Sequence, residues 1–336
     1  MIVASPRERF RRVLKFEEPL DRLPMIEWAA WWDKTLDRWK TEGLPNAYTR
    51  EDAIVHFGLD RLDMLGAAPQ SADCPSSAFH GAGLITNEPG YDEIHDCLFT
   101  DEIIDTAVAK AYDLRKAHEA GEVIVRLWLD GFFWFPRTIF GIERHMYAFY
   151  DQTDLMHRMN DELAEFEIRV IDALFPILKP DMVGFAEDMS YNHGPMVSEE
   201  IFDEFLLPYY QRVIPAIKRF DVPVLVDSDG DITTMIPWFL RAGIEGVYPL
   251  ERQAGVDVAR IRNEYPDFIM LGGYDKMVMS RGAEPMRAEF ERLLPIMRSG
   301  GYINSVDHQT PPGVSLENYQ TYLYLLEEYC TRAAAK

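Results

Sequence analysis

Residues 222–251 read VPVLVDSDGDITTMIPWFLRAGIEGVYPLE. A short apolar strand, VPVLVDS, runs into a Gly-containing turn, then a helical stretch, then a second apolar strand, GVYPLE. Strand, helix and strand within about 30 residues make the repeating unit of a parallel sheet. Both strands end in acid: Asp227 and Asp229 on the first, Glu251 on the second.

The same alternation extends in both directions. LPMIEWA (23–29), RLDML (61–65), VIVRLWL (123–129), DMVGFAED (181–188), FIMLGGYD (268–275) and GYINSVDH (301–308) bring the strands to eight. Between them lie amphipathic segments such as DQTDLMHRMNDELAEFEIRVIDALFPIL and EPMRAEFERLLPIMRSG, with apolar residues three and four apart. This pattern predicts an α/β fold, a (β/α)8 TIM barrel forming a single domain over residues 1–336. An N-terminal helix over about residues 6–15, with Ser5 as cap and Pro6 in its first turn, precedes it. An open doubly wound sheet fits less well, because no Gly-rich phosphate loop follows the first strand. Residues 66–100 read as an elaborated loop after strand two, over the barrel mouth, with room for a small hairpin.

The balance of 34 Lys+Arg against 56 Asp+Glu gives a formal charge of −22, which repels nucleic acid and anionic membrane alike. The opening MIVASPRERFRRVLKF is basic where a signal peptide needs an apolar core, and no apolar run reaches membrane-spanning length, so a cytoplasmic location is expected. Cys74, Cys97 and Cys330 are an odd, unclustered set without CxxC spacing. They read as buried or incidental thiols, giving neither a disulfide framework nor a thiolate zinc site.

In such a barrel the strand ends and the loops after them line one face, which carries the active site. Those ends present Glu27 and Trp28, Asp63, Glu187 and Asp188, Asp227 and Asp229, Glu251, Asp275, and Asp307 with His308. So many carboxylates at one mouth require a cation, a polar substrate or shared protons. For any single acid, helix capping is an equal alternative, as Asp229 or Asp231 can do for ITTMIPWFL. His308 is the sole histidine at a strand end, suited to general acid/base work or to metal ligation. Trp28, Trp32 and Trp134 follow strands and are expected to shape a partly apolar pocket. Arg137 and Arg252, near the same face, can pair the acids or hold a substrate anion.

Residues 222–251, GFAEDMSYNHGPMVSEEIFDEFLLPYYQRVIPAIK, GGYINSVDHQTPPGVSLENYQTYL and the opening SPRERFRRVLKFEEPLDRLPM together resemble the uroporphyrinogen decarboxylase superfamily. That superfamily includes cobalamin-dependent methyltransferases that act on corrinoid proteins, and the resemblance implies a (β/α)8 barrel over essentially the whole chain. In the methyltransferase branch, zinc is held by a His-x-Cys pair after strand five, a Cys before an EN pair after strand eight, and a further acid. The corresponding positions are Asp227, Asp229 and, counting back from Asn318, His308, with Glu187 as the further acid. A set without thiolates implies zinc or a harder metal such as manganese or iron.

In the decarboxylase branch a histidine stands at the place of His308, and Asp63 corresponds to its aspartate. Its arginine-rich loop is replaced here by IEWAAWW, and its tyrosine after strand three is missing from GFFWFPRTIFG. The function expected is transfer of a methyl group between a small methylated substrate and a corrinoid protein, with His308, Asp63 and Glu187 as candidate catalytic groups. The cobalamin is expected on that partner, because the chain has no Asp-x-His-x-x-Gly motif. Two alternatives stand beside it: a cofactor-free decarboxylase using Asp63 and His308, and a catalytically silent binding barrel.

Overall fold

A computed structural model describes residues 3–335. The first helix spans Pro6–Leu14, and the Ser5 hydroxyl accepts from the Glu8 amide, as the cap pattern requires. Seven parallel strands follow in one curled sheet: β1 (Leu62–Gly66), β2 (Ile124–Asp130), β3 (Met182–Ala186), then, after a two-stranded hairpin of β4 (Ser190–Tyr191) and β5 (Gly194–Pro195), β6 (Val224–Asp227), β7 (Gly246–Tyr248), β8 (Ile269–Leu271) and β9 (Tyr302–Ile303). Their order is β1-β2-β3-β6-β7-β8-β9, so each joins the next parallel strand along the chain. Helices such as Thr153–Leu174, Leu207–Lys218 and Ala283–Met297 pack outside. On Thr153–Leu174 the buried Leu155, Met159, Leu163, Phe166 and Val170 recur at three- and four-residue spacing, one face against the sheet.

The first of the eight expected strands is corrected. Residues 23–28 are buried between the two edges of the sheet but form no ladder, and the chain bends at Trp28. Pro24 offers no N–H, and side chains replace the missing strand bonds. The Met25 amide donates to the Asp60 carboxylate at 2.9 Å, the Met25 carbonyl accepts from the Asp60 amide, and the Ile26 carbonyl accepts from the Ser305 hydroxyl. The segment is thus bonded toward β1 on one side and toward β9 on the other.

Residues 66–100 are elaborated, though by a helix, Glu88–Ile94, and not by a hairpin. The stretch folds back through a bridge between Gln70 and Leu98, and this joins Cys74 to Cys97 in a disulfide. That corrects the reading of these two as thiols: residues 23 apart in sequence carry no spacing signal, and only the fold-back brings them together. Cys330 is the buried free thiol. Among the described residues no helix is long and apolar enough to cross a membrane.

Candidate active site

The strand-end acids divide by what their oxygens already hold. Glu187 accepts from the amides of Phe132, Phe133 and Trp134 at 2.9–3.0 Å and from the Tyr210 hydroxyl, so it clamps the turn after β2. Burial pushes its carboxyl up to about 7. Glu251 accepts from the Gly230 amide, Asp307 from the Arg252 amide, and Asp275 caps the turn that begins at Lys276. Asp231, not Asp229, takes the capping role before Thr233. These acids tie the mouth loops to one another.

Glu27 accepts from the Tyr319 hydroxyl and Asp63 pairs with Arg61, which leaves three carboxylates. Asp188, Asp227 and Asp229 each place an oxygen within 4.8 Å of the others. The Asp227 carboxylate is buried and accepts no hydrogen bond from a described residue. Asp188 sits in the left-handed region at φ +44, a conformation that costs a non-glycine residue roughly 1–3 kcal/mol and turns its side chain back toward the end of β6. Burial, then the neighbouring Asp188 and Glu251, push Asp229 up to about 7; burial first and Asp188 next raise Asp227 well above the ordinary range. Like charges held this close favour a bound cation or a shared proton.

His308 stands at the rim, its Nε2 3.7 Å from Asp229. The Gln309 amide donates to its Nδ1 at 2.8 Å, which fixes the neutral tautomer with the proton on Nε2. The Nε2 lone pair is therefore not offered to a metal, and burial, followed by Lys276, lowers its pKa further. Lys276 reaches toward Glu251 at 3.7 Å and Asp307 at 3.5 Å.

The inner face of the sheet below the mouth is polar on one side. Along β2 the residues Arg126, Trp128 and Asp130 alternate with the fully buried Val125, Leu127 and Leu129. The Arg126 guanidinium lies 5.6 Å from the Tyr248 ring of β7, so both point into the curl. Gly184 of β3 is required there, because a Cβ would meet the Tyr248 hydroxyl at 1.9 Å. Trp28 donates to the Val306 carbonyl and packs edge-on against Tyr248 at 5.5 Å and His308 at 5.8 Å. Above, Asp130, Trp134, Gln70 and Thr138 line a cavity of about 600 Å³ under the loop over the mouth. Burial raises Asp130 to about 7.

Of the expected site residues, Asp227, Asp229, His308 and Trp28 come together. Glu187 is beside them but committed to the backbone, and Asp188 takes the position expected for it. Arg137 donates to the Asp188 carbonyl and stacks on Trp134, so both support the site from behind. Trp32 is 45% exposed at the start of the helix Asp33–Thr41. Arg252 directs its guanidinium to the Val256 carbonyl. Asp63 is the second residue of β1 and pairs with Arg61 at 2.5 Å, apart from the acid cluster. Arg126 and Tyr248 went unchosen in the sequence, and Asp188 was named there as a strand-end acid without a role. An arginine inside the apolar run VIVRLWL was the signal that could have found the first of them.

A family model described as uroporphyrinogen decarboxylase (URO-D) matches residues 131–329, more than half of the chain. No curated protein sequence matches. Among solved structures, a methyltransferase from Methanosarcina mazei is similar at TM-score 0.70 and 16% identity, over 97% of this chain and 99% of that one. Endo-glycoceramidase II from Rhodococcus sp. matches at TM-score 0.47 and 12% identity, over 89% of this chain and 78% of that one. The first of these shares the fold.

Proposed function

The chain belongs to the uroporphyrinogen decarboxylase family, and from that premise we propose that it moves a methyl group between a small methylated compound and a corrinoid carried by a partner protein. The observation that carries this reading is the convergence of Asp188, Asp227 and Asp229, with their oxygens within 4.8 Å, beside the Nε2–H of His308. The methyltransferase from Methanosarcina mazei, similar in fold, is consistent with it.

An oxygen-only donor set suits a hard divalent cation such as magnesium or manganese better than zinc, whose usual ligands are nitrogen and sulfur. Asp188, Asp227 and Asp229 would hold it, and when bound it would supply positive charge to the heteroatom from which the methyl departs. That heteroatom keeps the bonding electron pair and needs a proton or a hydrogen bond. His308, held with its proton on Nε2 by the Gln309 amide, is poised to donate the hydrogen bond, while the proton itself comes from solvent. Trp28 excludes water from one flank. The cofactor-free decarboxylase reading is weaker, because the aspartate it relies on, Asp63, is ion-paired with Arg61 away from His308.

Metal analysis and demethylation assays on Asp229→Asn test the proposal. Metal content and turnover should fall together, and excess metal should restore part of both. Unchanged metal content and turnover would remove the site from the mechanism and leave a binding barrel.

A further inference from the structure

Arg126 is a cation in the wrong place for a structural role. It sits half-buried at the third residue of β2, on the inner face of the curled sheet and against aromatic rings. No carboxylate lies within 4.0 Å of its guanidinium among the described residues. Its Nε is buried without a partner, Nη2 reaches the Met64 thioether at 3.8 Å, and its other polar neighbours are the Tyr248 hydroxyl and, further off, the Asp227 carboxylate that its charge partly offsets. The other arginines inside the fold are not left this way. Arg262, for example, donates to the carbonyls of Pro266, Phe268 and Gly300. Arg126 thus keeps most of its five donors for something else.

The surroundings describe what that is. Trp128 and Tyr248 lie 5.2 and 5.6 Å from the guanidinium carbon, and Trp28 extends the same aromatic wall to His308. Met64, on the Arg126 side of β1, is 44% exposed although it belongs to the sheet, so the interior around Arg126 is open to solvent. The space therefore has a cationic floor, flat aromatic sides and an acidic, cation-suited mouth.

We propose that Arg126 is a carboxylate-binding subsite, and that the substrate is a small planar carboxylate whose acid group seats on Arg126 while its far end reaches His308 and the acid cluster. A bidentate guanidinium–carboxylate pair fits the unused donors, and the flat walls favour a conjugated or aromatic body. Methyl transfer at the mouth is the reading on which this substrate orientation rests; the anion site itself does not depend on it.

Calorimetric titration of the metal-free wild-type chain with benzoate, benzyl alcohol and cyclohexanecarboxylate tests it without any turnover. Benzoate should bind, the neutral alcohol should bind at least about tenfold more weakly, and the saturated acid should fall between them. Arg126→Gln should weaken benzoate about tenfold or more and leave benzyl alcohol unchanged, whereas Arg126→Lys should lose less. Asp229→Asn should keep benzoate binding even if it abolishes turnover, which separates this proposal from the one about the reaction. The comparison of acid with alcohol uses the unmodified protein, so it stands even if the variants fold poorly. Equal affinity for the two probes, no binding of benzoate, or unchanged affinity in Arg126→Gln overturns the subsite.

Discussion

A carboxylate that accepts three backbone amides and a hydroxyl is an anchor, and Glu187 does this for the turn after β2. Its removal strands several buried N–H groups. Glu187→Ala should cost roughly 3 kcal/mol or more of folding stability, read from chemical denaturation, and Gly131→Ala should be comparably damaging, since its Cβ would fall 2.0 Å from the Glu187 carboxyl carbon. Glu27 is buried too, accepting from Tyr319 at 2.8 Å, and burial raises its carboxyl to about 8. A carboxyl with a raised folded-state pKa holds its proton more tightly in the native state. Its favourable contribution is complete below its unfolded value near 4 and is lost as pH rises through about 8. Asp130 and Glu187, both near 7, act with the same sign. The melting temperature should therefore fall between pH 5.5 and 8.5, and Glu27→Gln should flatten the upper part of that slope. A wild-type melt independent of pH across this range would contradict the assignment.

The elements were more legible than the joints between them. Seven strands lie on the apolar runs, all but β1 running into an acid, because a parallel strand covered by helices must be apolar for most of its length. The failure at 23–28 has a local cause: Pro24 and the carboxylate of Asp60 exchange a ladder for side-chain bonds, and hydrophobicity alone cannot distinguish the two. Three of the site acids were visible by their place after a strand, but which ones bind the framework and which stay free depends on backbone amides from distant loops. The left-handed turn at Asp188 and the pairing of Cys74 with Cys97 have no sequence signature of their own. The segment at 23–28 makes a testable element. Asp60 holds the Met25 amide and both Arg9 and Arg22, with distances of 2.7–3.3 Å, so Asp60→Ala removes one acid from two cations. The expected cost is about 3–5 kcal/mol. In hydrogen exchange the amides of 25–28 should open before those of β2 and β3, and in the variant they should lose protection first. Equal protection in both proteins would mean that the segment is held by something other than Asp60.

At the scale of the whole molecule, a formal charge of −22 means that any divalent cation will stabilise the chain to some degree by screening alone. Binding at Asp188, Asp227 and Asp229 has to be separated from that background. Screening depends on ionic strength and is indifferent to one surface charge, whereas a site saturates and stabilises by mass action, about 2.7 kcal/mol at a hundredfold excess over its Kd. Manganese added to the chelator-treated chain should raise the melting temperature along a saturable curve, beyond what sodium chloride gives at equal ionic strength. The excess should grow from pH 5.5 to 8.5, because a cation favours the ionised form of Asp229, whose carboxyl otherwise titrates near 7. In Asp188→Asn the saturable part should vanish while the screening part persists, since that substitution removes a ligand and changes the net charge by only one. If the variant keeps the full manganese response, the three aspartates share protons in place of a metal, and the departing methyl must be assisted by the positive charge of Lys276 and a hydrogen bond from His308.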